Sequence, residues 1–109
     1  MALQTADFSK VQTTTALTSL SYMFNKCSSL KTLDLSLFNT ASVKSMSSTF
    51  NSCSSLATIY VGPTWSIASV TSGSSCFYNC TSLKGAISYN KNYTKYTYAT
   101  TSYYMTLKG

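Results

Sequence analysis

The stretch Met-Phe-Asn-Lys-Cys-Ser-Ser-Leu runs from Met23 to Leu30 and occurs twice more in similar form. It returns as Thr-Phe-Asn-Ser-Cys-Ser-Ser-Leu at residues 49–56 and as Cys-Phe-Tyr-Asn-Cys-Thr-Ser-Leu at residues 76–83, at spacings of 26 and 27 residues. A fixed period in this range is typical of stacked repeat proteins, in which each unit buries its apolar face against the next. The period therefore predicts the architecture of most of the chain.

Each repeat contains one segment with the alternation of a β-strand. Leu33 and Leu35 alternate with polar Thr32 and Asp34, and residues 56–61 repeat this arrangement. Alternation with a period of two predicts a strand with one buried face. Stacking the repeats would pair each strand with the next in parallel.

A second segment has the spacing of a helix. Its apolar residues Val43, Met46, Phe50 and Cys53 are three, four and three positions apart, which predicts a short helix of two to three turns. The preceding copy places Leu17, Leu20, Phe24 and Cys27 at these positions, and the following copy places Val70, Gly73, Phe77 and Cys80 there. The sequence therefore predicts an α/β solenoid of the leucine-rich-repeat type, with parallel strands and short helices.

The repeat extends backwards into the N-terminal residues. Leu3 lies 27 positions before Leu30, and Asp7 lies 27 positions before Asp34. Residues 3–20 thus carry the second half of an earlier unit. Because the chain opens in the middle of a repeat, we expect it to be a fragment of a longer protein.

The C-terminal tail departs from the repeat. Residues 88–109 hold six of the nine tyrosines, and threonine is frequent among them, which favours β-structure. An end of a solenoid needs a cover for its strand edge and core. We expect a solenoid at 1–87 and a β-hairpin cap at 88–109. An aromatic platform for sugars or single strands is the alternative.

The composition argues against an enzyme. The chain has eight lysines, two aspartates and neither histidine, glutamate nor arginine. General acid–base catalysis relies most often on histidine, glutamate or aspartate, and a Ser-His-Asp arrangement requires histidine. We therefore expect no catalytic residues and no cofactor.

The charge pattern and the cysteines also point away from common ligands. The lysines that give the net charge of +6 are scattered, so nucleic-acid binding is not expected. No run of about 18 apolar residues occurs, so membrane insertion is not expected either. Cys27, Cys53 and Cys80 recur once per repeat, which predicts a ladder of buried thiols and no metal site.

The outward positions of the strands form the predicted interaction surface, because the exposed sheet is the usual contact face of a solenoid. Tail tyrosines are added as further candidates. The candidates are Asp7, Thr32, Asp34, Thr58 and Tyr60 on the strands, and Tyr96, Tyr98 and Tyr103 in the tail.

The repeat resembles that of the BspA-like leucine-rich repeat surface proteins, whose unit reads close to Met-Phe-x-x-Cys-x-x-Leu-x-x-Leu-Asp-Leu-Ser-x-Phe-x-Thr-x-x-Val-x-x-Met. Residues from Met23 to Met46 follow this pattern, and the likeness extends from Leu3 to about Leu83. The resemblance implies a bacterial cell-surface or secreted protein that contacts host proteins or other cells and has no catalytic residues. A carbohydrate-binding module that uses the tyrosine-rich tail is the alternative function.

Overall fold

A computed structural model describes residues 18–36 and 38–108, together with the backbone of 5–7. Of the predicted N-terminal half-repeat, the structure describes the backbone of the short strand β1, Thr5–Asp7, and residues 18–20. Leu3 and Leu17, which the repeat alignment also uses, lie outside the described residues.

Four short strands form one parallel sheet. They are β1, β2 (Thr32–Leu35), β3 (Thr58–Val61) and β4 (Met105–Leu107), and they lie side by side in this order. Leu33 is opposite Ile59, which is the pairing that an alignment of the two repeats predicts. Every second residue of β2 and β3 is buried, as the alternation of their sequences requires.

The predicted helices are wrong, because the segments with helical spacing fold into consecutive turns. The N–H of Thr49 donates to the carbonyl of Met46 at 3.3 Å, and that of Cys53 donates to the carbonyl of Phe50 at 3.1 Å. Each of these turns has a left-handed residue at its third position, as a type II turn does. The left-handed residues are Tyr22 and Lys26, Ser48 and Ser52, and Ser75 and Asn79 in the three copies.

The helical spacing gave the wrong prediction because two successive turns direct the same residues towards the core as a helix would. Val43, Met46, Phe50 and Cys53 are all buried, as the helical spacing suggests. Their backbone differs because only some N–H groups close turns along the chain, as those of Val43 and Cys53 do, whereas those of Met46 and Phe50 donate to the next repeat. We call residues 20–30, 46–56 and 73–83 the first, second and third turn segments.

The turn segments are joined by backbone hydrogen bonds that all run in one direction. In the first segment, the N–H of Phe24 donates to the carbonyl of Thr49 at 2.9 Å. In the second, the N–H of Phe50 donates to the carbonyl of Cys76, also at 2.9 Å. Such bonds repeat at every second residue over 20–26 and 46–52, so the first seven residues of each of these segments are held by the neighbouring repeat.

The core lies between the sheet and the turn segments. Its centre is a row of rings: Phe24 stacks on Phe50 with centroids 5.7 Å apart, and Phe50 stacks on Phe77 at 5.4 Å. Stacked aromatic pairs stabilise a protein by about 0.5–1.5 kcal/mol beyond the area that they bury. The row therefore holds equivalent positions of the three repeats in line.

The expected C-terminal β-hairpin is not the structure of the tail. Strand β4 pairs with β3 in parallel and so takes the place that the strand of the third repeat would have. The sequence gives a reason: Ala86 and Ser88 stand where the preceding repeat has Ile59 and Val61, and they bury less apolar area. Met105, which is buried opposite Ile59, supplies that area instead.

The rest of the tail covers the third turn segment and runs antiparallel to it. The N–H of Phe77 donates to the carbonyl of Thr94 at 2.9 Å, and the N–H of Tyr96 donates to the carbonyl of Gly73 at 3.1 Å. Tyr96 belongs to a single 3₁₀ turn, Tyr96–Tyr98. Tyr104 closes the row of rings, because it meets Phe77 edge-on at 5.0 Å.

Candidate functional site

The exposed side of the sheet carries two rows of polar side chains. We call this surface the outward face and the two rows the outward rows. Thr32 and Thr58 are opposite each other in one row, and Asp34, Tyr60 and Thr106 are neighbours in the other. All five are partly exposed, and adjacent strands place them about 4.8 Å apart. The structure thus brings together four of the residues that the sequence singled out.

Asp7 continues the second row at the level of the backbone. It is in register with Asp34 on the neighbouring strand β2. The side chains of Thr5–Asp7 lie outside the described residues, so the contacts of the Asp7 carboxyl group stay a prediction.

An ion pair ties the tail to the outward face. The Lys108 ammonium group, just after β4, donates to the carboxylate of Asp34 on β2 and so spans β3. The same carboxylate accepts the N–H of Ser36 at 2.9 Å. Burial, the largest single influence, raises the pKa of Asp34, but the hydrogen bonds from Lys108 and Ser36 and the charge of Lys108 together bring it below its usual value.

Lys108 and Thr106 are members of this face that the sequence did not reveal. They are out of phase with the repeat, and only the pairing of β4 with β3 brings them to this surface. One signal in the sequence pointed towards the tail, since Tyr104 lies 27 positions after Phe77. That spacing places Tyr104 next in the row of rings, where the structure has it.

The tail tyrosines contact one another, and none of them is in register with the outward rows. The rings of Tyr93 and Tyr98 stack with centroids 4.5 Å apart, and Tyr103 meets Tyr98 edge-on at 4.9 Å. Tyr96 is partly buried against the core. Much of these ring surfaces is therefore used inside the molecule, which leaves less area for a ligand to stack on than a free aromatic platform would offer.

The cysteines form regular contacts between repeats. The thiol of Cys53 donates to the carbonyl of Phe24 at 3.0 Å, and the thiol of Cys80 donates to the carbonyl of Phe50 at 2.8 Å. Burial raises the pKa of Cys53 to about 11 and that of Cys80 to about 12. A protonated, buried thiol is a poor nucleophile and a poor metal ligand.

The other two cysteines complete this description. Cys76 is buried as well, and burial raises its pKa well above the usual value, whereas Cys27 is only partly buried. All four are free thiols. Among the described residues, no three cysteine or carboxylate side chains are grouped so that they could hold a metal ion.

A pocket of about 220 Å³ opens where β3 ends and the tail passes. Trp65 and Leu107 provide apolar walls, and Ser66, Thr100 and Thr101 add hydroxyl groups. The indole N–H of Trp65 donates to the carbonyl of Ala99 at 2.9 Å, which fixes the ring in the wall. The sequence prediction did not include any of these residues, because they come from a loop, from the irregular part of the tail and from the end of β4.

Within the part of the chain that the structure covers, there is no helix with the length and apolar character to cross a membrane. The geometry is that of a repeat protein, in which equivalent strands and turn segments of successive units pair with each other.

The family follows from a comparison of sequences. Residues 2–106 match the profile of a family described as "Mycoplasma protein of unknown function, DUF285", and the chain belongs to this family. Searches of curated proteins and of solved structures found no match to the chain.

Proposed function

We propose that this chain is a non-catalytic repeat module that makes protein–protein or host-cell adhesion contacts through its outward face. Under this proposal it is part of a bacterial cell-surface or secreted protein of the BspA-like leucine-rich repeat type. Its stack is then an α/β-type solenoid in which turns take the places of the short helices. The in-register parallel pairing of equivalent strands supports this interpretation.

The observation that carries the proposal is the continuity of the outward rows across the strands. Thr32 and Thr58 line up in one row, and Asp34, Tyr60 and Thr106 in the other. Rows of hydroxyl groups around a tyrosine suit a protein partner, because tyrosine is enriched in the cores of interfaces and hydroxyl groups can donate or accept.

The proposal assigns no chemistry to this face. Its only described carboxylate, on Asp34, is occupied by Lys108 and by the N–H of Ser36. A carboxylate held in its charged form by a lysine is a weak general base, because its pKa lies below the usual value. A binding role uses the pair without change, since the pair fixes the position of both side chains.

The test compares two tyrosines on different faces. Tyr60 lies on the outward face, whereas Tyr78 is 57% exposed on the third turn segment. The chain is tested for binding to intact host cells and to a panel of purified extracellular-matrix proteins, and so are Tyr60→Ala and Tyr78→Ala. We expect Tyr60→Ala to weaken binding about tenfold or more, as loss of an interface tyrosine does, and Tyr78→Ala to bind like the parent chain.

Circular dichroism and thermal unfolding must first show that both variants are folded. Equal binding by Tyr60→Ala and the parent chain would contradict the assignment of the outward face. Absence of binding to every cell and protein of the panel would contradict the adhesion role itself.

A further inference from the structure

The pocket beside Trp65 exists because one row of the repeat stops there. In the preceding repeat, Phe38 occupies the same turn position, and its N–H donates to Leu35 as that of Trp65 donates to Gly62. Phe38 is only 4% exposed, whereas Trp65 is half-buried. The residue one period further, Asn92, lies in the tail and is exposed, so no third aromatic ring covers Trp65 from this position.

The walls of the pocket select a neutral ligand. None of its lining residues has an ionisable side chain. A charged group would therefore lose water without gaining a partner of opposite charge, which is costly. The apolar part of the wall comes from Trp65 and Leu107, with Val61, Ile67 and Ala99. Leu107 is 61% exposed and so has area left to cover.

The hydroxyl groups of the pocket select a polar ring. The oxygen of Ser66 accepts the N–H of Ala68 at 3.1 Å, and that of Thr100 accepts the N–H of Ser102 at 3.3 Å. Since a hydroxyl group has one donor and two acceptor sites, both can still donate to a ligand. Thr101 adds a third hydroxyl residue, so a purely apolar ring would leave several of these groups without partners and would bind poorly.

We propose that this pocket binds one ring of a neutral sugar, with the ring packed against Trp65 and Leu107 and its hydroxyl groups bonded to Ser66, Thr100 and Thr101. The volume of about 220 Å³ is below the ~300–1,000 Å³ of pockets that hold drug-sized ligands, which agrees with a single ring. The site goes beyond the proposed protein contacts and shares no residue with the outward rows.

The experiment uses the only tryptophan of the chain as a reporter. The full chain is labelled with nitrogen-15 and titrated with methyl glycosides of glucose, galactose, mannose and N-acetylglucosamine. The indole N–H signal of Trp65 is followed by NMR. N-acetyltyrosine amide is titrated in parallel as a neutral aromatic ring. We expect at least one glycoside to give a saturable shift of the indole signal, and the tyrosine derivative to give none.

Two threonine variants provide the matched pair. Thr101→Ala removes a hydroxyl group from the pocket, and Thr97→Ala removes one from an exposed position outside it. We expect Thr101→Ala to weaken glycoside binding about three- to tenfold, as loss of one neutral hydrogen bond does, and Thr97→Ala to leave it unchanged. Tyr60→Ala should also leave it unchanged, which separates this site from the outward face.

Three results would overturn the proposal. The first is that no glycoside shifts the indole signal at concentrations of tens of millimolar. The second is that N-acetyltyrosine amide binds and the glycosides do not, which would make the pocket a socket for an aromatic side chain. The third is that Thr101→Ala binds the glycoside as tightly as Thr97→Ala does.

Discussion

The stacked repeats and the tail solve the same packing problem in different ways. Between the repeats, each residue meets its own equivalent: Phe24 and Phe50 stack with ring planes 4° apart, and Phe50 and Phe77 with planes 9° apart. In the tail, Tyr104 lies one further period along the sequence but meets Phe77 at 65°. The repeat period therefore determines which core positions exist, whereas the direction of the chain determines the orientation of the ring that fills the last position.

The largest expected effect lies in the middle of the row of rings. Phe50→Ala should lower the free energy of unfolding by about 4 kcal/mol, because the side chain is fully buried between two rings and would leave a cavity. Urea denaturation measures this change. Phe24→Ala is the control. Phe24 is 6% exposed, so this variant should lose less free energy of unfolding than Phe50→Ala. An equal or larger decrease in Phe24→Ala would contradict the prediction.

The next effect tests the joint between repeats and tail. A Cβ atom at residue 85 would lie 2.6 Å from the carbonyl oxygens of Tyr103 and Tyr104, so Gly85→Ala must push this part of the tail away. We expect a loss of about 2 kcal/mol in the free energy of unfolding and faster hydrogen exchange at the Lys108 N–H, which donates to Val61. Exposed Ala86→Ser is the control, and unchanged exchange in Gly85→Ala would show that the tail can move aside without loosening β4.

A smaller effect concerns the hydroxyl group that anchors the tail to itself. The Tyr104 hydroxyl lies 3.0 Å from the carbonyl of Tyr93 and accepts the N–H of Asn90 at 3.0 Å. Tyr104→Phe should therefore lower the free energy of unfolding by about 1 kcal/mol, since partly buried partners lose a hydrogen bond. Thermal unfolding measures the loss, and Tyr22→Phe, on an exposed ring, should show almost none. Equal stability of the two variants would mean that water replaces the lost hydroxyl.

The smallest effect tests the ion pair between tail and sheet. Lys108→Ala should cost less than about 1 kcal/mol at neutral pH, because the lysine side chain is 46% exposed and solvent screens the pair. The folded pKa of Asp34 is lowered below the usual 3.8, so the stability that the pair provides is present above that pH and is lost as pH falls through the folded pKa.

Unfolding measured between neutral and strongly acid pH checks this prediction. The difference between Lys108→Ala and the parent chain should disappear in strong acid, where Asp34 is protonated. Lys84→Ala, at another exposed lysine, is the control and should not change the pH dependence. A difference that persists unchanged in strong acid would show that the lysine acts through packing and not through its charge.

The strands and their register could be predicted from the sequence because the side-chain pattern determines them directly. Alternation marks Leu33 and Leu35 as buried, and alignment of the repeats pairs Leu33 with Ile59. A shift by one residue would expose the whole apolar set, so few other registers were possible. The same reasoning placed Thr32, Asp34, Thr58 and Tyr60 on one face.

The helices could not be excluded from the pattern, because it records which residues point inward and not where the backbone hydrogen bonds go. A helix and two successive turns both bury Met46, Phe50 and Cys53. The structure forms turns because alternate N–H groups have a carbonyl of the neighbouring repeat within reach, as Phe50 has Cys76. Ser48 and Ser52 adopt left-handed conformations to make this possible, and nothing in their residue type marks them for it.

The tail limited prediction for a different reason. Its content of Tyr and Thr suggested β-structure and a cover but gave no strand register. β4 pairs with β3 in parallel, and Met105 fills the core position opposite Ile59. This pairing depends on a contact between distant parts of the chain. Lys108 and the pocket beside Trp65 follow from that contact, so the sequence alone could not place them.

The one-way backbone hydrogen bonds between the turn segments give this side of the molecule an electrical direction. Each peptide unit has a dipole of about 3.5 D, and in a helix such dipoles add along the chain. Here they add across the repeats, so the N–H ends face the tail and the carbonyl ends face the opposite side. The tail provides oxygen acceptors for these N–H groups. The Thr94 carbonyl accepts the N–H of Phe77, and the Tyr89 hydroxyl accepts the N–H of Asn79. Anything that lengthens the stack beyond its first turn segment would therefore have to arrive with donors.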